Sequence, residues 1–190
     1  MKTGLFFGSF DPIHNGHLLK AVEALEKKLV DRVVFVPAKQ NPWKPEPMFD
    51  YEKRVYMCSV AAHSLRFAMV GKDDGKILVS DIEGQMVGTT YTYEVLCKFK
   101  EEHPSEDICL ICGTDVSLDI PKWMEGEKLL KEFEVITLNR GADEESDYPD
   151  LNISSTKIRE LIKKNMSVAG LVPTEINHYL YSSTRNYGLI

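Results

Sequence analysis

Gly8-Ser9-Phe10-Asp11-Pro12-Ile13-His14-Asn15-Gly16-His17 is the stretch on which the fold turns. Just before it, Leu5-Phe6-Phe7 is an apolar run closed by Gly8, which predicts a short buried strand. Just after it, Leu18, Leu19, Val22, Leu25 and Leu29 recur at helical spacing and predict a helix from Gly16 to Leu29. A strand, a glycine-bearing turn and a helix, in that order, open a parallel α/β sheet. In such sheets ligands sit beyond the carboxyl ends of the strands. The helix start offers unpaired amides and the positive end of a dipole, which together suit phosphate.

The residue types in the turn fit that reading. Gly8 and Gly16 let the backbone approach a ligand closely. His14 and His17, three apart, share a face of the first helical turn. Each can donate to phosphate oxygens or gain charge beside an anion. The spacing is not GxGxxG, and the Lys-Ser/Thr ending of a P-loop is absent. Two plainer readings stay open. Asp11, His14 and His17 could ligate a metal, or Asp11, Asn15 and the glycines could serve only as caps and turns.

Strand and helix patterns alternate through the rest of the chain. Arg32–Val36 is a β-branched run stopped by Pro37, and residues 38–49 carry three prolines and read as a loop. A helix is expected from Tyr51 to about Ser64, with strand-like stretches at Phe67–Val70 and Ile77–Ile82. Further on come a helix at Thr92–Lys100, buried strands at Asp107–Cys112 and Phe133–Leu138, and a helix from Ser155 with Ile158, Leu161 and Ile162 on one face. A last helix is expected from Pro173 or Thr174 to Tyr181. Gly141–Asp150 reads as a solvated acidic loop. These patterns predict one α/β domain over residues 1–190: a parallel sheet with helices on both faces, joined by right-handed crossovers.

Composition narrows the function. Hydrophobic residues make up 43% of the 190 positions and charged residues 27%, which excludes disorder and disulfide-dense mini-proteins. Lys plus Arg total 23 against 29 Asp plus Glu, a net charge of −6, so no nucleic-acid partner is expected. A small anion remains open, because a local cradle can oppose the global sign. No apolar run approaches the ~18–20 residues of a membrane span, and the first residues are too short for a signal peptide; no membrane association and a cytoplasmic location are expected. Cys109 and Cys112 have CxxC spacing, but they sit in the apolar run Ile108–Cys112 and read as buried small hydrophobes.

A second segment, Ile153-Ser154-Ser155-Thr156-Lys157-Ile158-Arg159, supplies hydroxyls and amides at another helix start, with a forked cation one turn on. A Ser/Thr cap followed by a surface Arg is the plainer alternative. The first segment resembles the GxFxPxHxGH motif of the nucleotidyltransferase superfamily related to class I aminoacyl-tRNA synthetases. The second, about 140 positions downstream, resembles its ISSTxIR motif. Gly88-Thr89-Thr90-Tyr91-Thr92 looks like the G-P-S-Y-T stretch of bacterial nicotinate-nucleotide adenylyltransferases. Ile111-Cys112-Gly113-Thr114-Asp115 with Ile120-Pro121-Lys122-Trp123 is similar to their I-I-G-x-D and L-P-x-W segments, and Leu171-Val172-Pro173 matches their L-V-P. Departures are Asn41-Pro42-Trp43-Lys44 in place of P-P-H-K, Met124 after the Trp, and Thr89-Thr90 for Pro-Ser.

The resemblance implies a Rossmann-like nucleotidyltransferase domain that moves AMP from ATP to nicotinate mononucleotide, giving deamido-NAD and pyrophosphate by direct in-line attack. It implies that His14 and His17 contact ATP phosphates, that Lys44 and Arg159 neutralise charge, and that Gly8, Ser9 and Phe10 line the nucleotide track. Ser155 and Thr156 would donate to the triphosphate, Gly113 would belong to the ATP site, and Asp115 would sit near the ribose. Thr92, Trp123 and Lys44 would meet the mononucleotide, with Trp123 stacked on the pyridine ring. Mg²⁺ would accompany ATP with no dedicated protein metal site, and a homo-oligomer is compatible with this reading. Alternatives are the nicotinamide mononucleotide as substrate, a phosphopantetheine adenylyltransferase or cytidylyltransferase, or a non-catalytic nucleotide sensor. By residue type alone, Trp123 could be a core anchor, Lys44 a solvated cation and Trp43 loop packing.

Overall fold

Period-two burial builds the sheet. In β1 (Lys2–Gly8), Leu5 joins one apolar cluster and Phe6 the other. In β2 (Arg32–Pro37), Val33 and Phe35 face one side and Val34 and Val36 the opposite one. In β4 (Asp107–Gly113), Cys109 and Ile111 alternate with Ile108, Leu110 and Cys112. Strands apolar on both faces require cover on both faces, as in parallel sheets. The computed structural model describes residues 1–40, 46–68, 75–138 and 151–186. With β3 (Ile77–Val79) and β5 (Glu134–Leu138), the five parallel strands run in the order β3-β2-β1-β4-β5. Chain order reverses beside β1, which puts the switch-point crevice between the carboxyl ends of β1 and β4.

Helices α1 (Asn15–Glu26), α2 (Tyr51–Ala68), α6 (Ser155–Lys163) and α7 (Thr174–Asn186) cover one face, through Leu18, Met57, Ala61, Ile158, Ile176 and Leu180 among others. The helices α3 (Thr92–Glu102) and α5 (Gly126–Glu132) cover the other through Val95, Leu96, Phe99 and Leu129. The short α4 (Thr114–Ser117) follows β4 directly. Among the described residues no helix is long and apolar enough to cross a membrane.

Three expectations change. Phe67–Val70 was expected as strand, yet α2 continues through Ala68, and residues 69 and 70 lie outside the described residues. Met57, Cys58, Ala61 and Ala62 bury a helical stripe that carries the ladder onward; apolar content alone reads the same in either state. Of Ile77–Ile82, only Ile77–Val79 pair with β2, and Ile82–Gln85 form a 3₁₀ turn that still buries Ile82. The helices α4 and α5 and the 3₁₀ turn Ile120–Lys122 were not foreseen. The acidic stretch 141–150 lies outside the described residues.

Cys109 and Cys112 belong to clusters on opposite sheet faces, because residues three apart in a strand point opposite ways. Burial pushes the Cys109 thiol up to about 12 and the Cys112 thiol up to about 11. Neither is poised as a thiolate at neutral pH.

Candidate active site

The first motif leaves β1 at Gly8, beside the carboxyl end of β4 at Gly113. Phe10 turns the chain with φ +45°, and its ring is 2% exposed. It packs edge-on against Phe6 at 6.0 Å, Phe35 at 5.5 Å and His17 at 4.9 Å. Phe10 therefore offers a ligand its backbone, not its ring. A Cβ on Gly8 would come within 2.8 Å of that ring, and one on Gly16 within 3.1 Å of the His14 ring. The space freed by these two glycines is filled by the protein's own rings, where the sequence suggested a ligand.

His14 is the N-cap of α1 in extended conformation, and His17 is the third residue of the helix. The His14 backbone N–H donates to His17 Nδ1 at 3.3 Å, so the pair forms a capping box built from two imidazoles. An Nδ1 that accepts leaves the proton of the neutral His17 ring on Nε2, as a donor. The rings stack at 3.6 Å between centroids with 22° between planes. Asp11 does not complete a metal triad. Its Oδ1 accepts from Phe49 N–H and its Oδ2 from Met48 N–H, both at 2.9 Å. No group of three or more His, Cys, Asp or Glu that could hold a metal ion forms among the described residues.

The second motif is stitched onto the first. Ser154 caps α6 by accepting from Lys157 N–H at 3.2 Å. Ser155 Oγ donates to Pro12 O at 3.0 Å. Arg159 Nη1 donates to Asp11 O at 2.7 Å and lies 3.4 Å from Asp11 Oδ2, and its Nη2 donates to Thr156 Oγ1 at 3.2 Å. The Ser155 hydroxyl proton is thus spent on the first loop. A third tie joins Leu171-Val172-Pro173: Asn15 donates from its backbone to Leu171 O and from its side chain to Gly170 O, each at 2.9 Å.

Across the switch point, Gly113 ends β4, and Asp115 is exposed in the first turn of α4. Thr92 is the first residue of α3, whose capping box pairs Tyr91 with Glu94. Trp123 follows the 3₁₀ turn, half-buried against the cluster under α3 and α5. The histidine and arginine motifs therefore lie with the helices of one sheet face, and Thr92 and Trp123 with those of the other. Lys44, with Trp43, lies outside the described residues.

Residues 5–161 match the cytidylyltransferase-like family. A Clostridium tetani relative named "probable nicotinate-nucleotide adenylyltransferase" is 30% identical over 99% of this chain and 98% of its own. A Thermus thermophilus relative with the same name is 35% identical over 95% and 96% of the two chains. The chain belongs to the nicotinate-nucleotide adenylyltransferase family. It is accordingly a nucleotidyltransferase. The Plasmodium falciparum nicotinic acid mononucleotide adenylyltransferase, solved in complex with NaAD, shares the fold with a TM-score of 0.71 at 21% identity, over 97% of each chain.

Three buried charges in this family member went unnoticed in the sequence: among the described residues Arg54 is 1% exposed, Glu23 3% and Glu83 5%. None lies in a motif, and a lone Arg or Glu on an amphipathic stretch reads as surface.

Proposed function

We propose that residues 1–190 act as one nucleotidyltransferase domain that transfers the AMP of ATP to the 5′-phosphate of nicotinate mononucleotide. One observation carries this reading. Two phosphate-type motifs, far apart in sequence, are joined by Arg159 to Asp11 and Ser155 to Pro12 at the carboxyl edge of the sheet.

The chemistry needs no covalent intermediate. A phosphate oxygen of the mononucleotide attacks the α-phosphorus of ATP, the bond to the β-bridging oxygen breaks, and pyrophosphate leaves. The protein's work is alignment of two anions and neutralisation of charge. His17 Nε2–H and His14 serve the ATP phosphates. Gly8, Ser9 and the Phe10 backbone line the track beside them, with Gly113 and Asp115 toward the ribose. Ser155 and Thr156 contribute backbone amides of the first turn of α6, which helix geometry leaves unpaired. Arg159 supplies N–H groups beyond those already bonded, and Lys44 adds a second cation. Mg²⁺ would enter as part of the MgATP substrate and would supply neutralisation of phosphate charge; Asp11, whose two carboxylate oxygens accept the Met48 and Phe49 amides, is not assigned to it. The setting is cytosolic, and the partners are small nucleotides, not nucleic acid or membrane.

The test is pyrophosphate release that requires ATP, Mg²⁺ and the mononucleotide together. A chain that binds ATP yet releases none with either pyridine mononucleotide is a sensor, and the reading fails.

Trp123 separates the two substrates. Part of its indole packs on the core and the rest faces outward. Trp123→Ala is expected to raise KM for the mononucleotide by about 5- to 150-fold, matching the ~1–3 kcal/mol of base–aromatic stacking, while KM for ATP stays put. Unchanged mononucleotide KM in a destabilised but folded variant makes Trp123 a core anchor instead.

A further inference from the structure

We propose that Arg54 is a positioning residue for AMP transfer, one that sets the direction of the peptide groups following β1 and β2. The proposal rests on the functional reading above. Arg54 lies in the first turn of α2, where its guanidinium sits 5.6 Å from the centroid of the Tyr51 ring and donates to four main-chain carbonyls. Nη1 donates to Ser9 O at 2.7 Å and to Ala38 O at 2.6 Å, Nη2 to Lys39 O at 3.0 Å, and Nε to Phe49 O at 3.1 Å. Burial lowers its pKa from the ordinary arginine value, and the charges of Asp11 and Glu83, among others, oppose that. An arginine stays protonated regardless.

A buried cation without a hydrogen-bonded carboxylate is costly, and an apolar side chain of like volume would serve the core as well or better. What the guanidinium supplies, and no apolar group can, is direction. In a trans peptide the C=O and the following N–H point opposite ways. Drawing Ser9 O toward Arg54 turns the Phe10 N–H away from it, and drawing Lys39 O inward does the same to the Gln40 N–H. The Ala38–Lys39 peptide displays this geometry in full. Ala38 O accepts from Arg54, while Lys39 N–H points the other way and donates to Glu83 Oε2 at 2.9 Å.

The surrounding bonds hold the same segments. Ala38 N–H donates to Gly8 O at 2.9 Å, and Thr90 Oγ1 donates to Glu83 Oε2 at 2.6 Å. Met48 and Phe49 amides hold Asp11, whose backbone carbonyl receives Arg159. Arg54 is therefore the hub between the histidine loop, the end of β2 and the loop that opens α2. Through Lys39 and Glu83 it also reaches Thr90, two residues before α3.

Arg54→Lys tests the fork while keeping the charge: one ammonium cannot span four carbonyls. The expected result is a folded protein whose kcat, per folded molecule, falls by about 100-fold, the scale of a ~1 Å misplacement, with KM for the mononucleotide unchanged. A purely structural residue would lower Tm and the folded fraction but leave kcat per folded molecule at the wild-type value, and that result overturns the proposal. A second arm uses the wild-type protein and holds even if no variant folds. Hydrogen exchange at the Ala38, Lys39, Met48 and Phe49 amides should be slow without nucleotide and change little on adding MgATP. Fast exchange that slows only with MgATP means the loops are ordered by substrate, and the proposal is wrong. Absence of pyrophosphate release by the wild type would instead remove the functional reading, with the exchange arm still judging the clamp.

Discussion

His17→Ala is expected to lower kcat by about 100-fold or more, the loss typical of one preorganised donor at developing charge. On the proposed reading His17 has two duties: Nδ1 accepts the His14 N–H and so closes the start of α1, and the Nε2–H of the neutral ring is the donor proposed for phosphate. Losing the cap costs about 1 kcal/mol of stability. Losing the donor costs about 2.7 kcal/mol or more of transition-state stabilisation. The second effect is the larger, and His17→Glu separates them. Glutamate is the ordinary capping-box partner at this position, so Tm should recover, yet its negative charge opposes the triphosphate and the rate should stay low. Circular dichroism melts with single-turnover rates check both. A His17→Ala enzyme with near-normal kcat removes His17 from the chemistry and leaves it a cap.

Arg159→Ala is the second large effect. Its guanidinium binds Asp11 O at 2.7 Å and pairs with a carboxylate whose side chain is 5% exposed, while Arg159 itself is 27% exposed. Removal withdraws a donor from a buried carbonyl and, on the proposed reading, a cation from the ATP phosphates. The chemical loss should appear as a fall of about 100-fold or more in kcat/KM for ATP. The structural loss is smaller, about 1–2 kcal/mol for an acceptor left short of its partner, or about 2–8 °C in Tm for a chain of this size. Asp11 keeps its two amide donors, which limits the damage to the fold. Arg159→Lys should recover part of the rate, because charge returns without the fork. If Arg159→Ala lost stability but kept kcat/KM for ATP, Arg159 would be a brace between the motifs and nothing more.

The sheet was legible because each strand states itself locally. Leu5-Phe6-Phe7, Arg32–Val36 and Asp107–Cys112 are short apolar runs with turn residues beyond them, and they became β1, β2 and β4. Phe67–Val70 has the same local signature, yet Phe67 and Ala68 lie in α2, because tertiary burial of Met57 and Ala61 decides the state of that segment. The helix α5 was missed because only Leu129 of its apolar side chains is buried, and one residue makes no period.

Within the site, the histidine and arginine motifs were visible as residue types at helix starts. What those residues hold was not. That Ser155 donates to Pro12 and Arg159 to Asp11 depends on how two distant loops dock. Arg54 was invisible for the same reason. Its partners at positions 9, 38, 39 and 49 share no spacing, and only the fold gathers them around one guanidinium.

The central claim is AMP transfer to a pyridine mononucleotide that carries a carboxylate. Its most direct test is pyrophosphate release with saturating MgATP, measured as kcat/KM for nicotinate mononucleotide and for nicotinamide mononucleotide on the same preparation. A site whose donors await a carboxylate leaves them badly paired against an amide. The acid should therefore be favoured by on the order of 100-fold or more. Equal or reversed values would contradict the carboxylate assignment, and no release with either substrate would contradict the reaction itself.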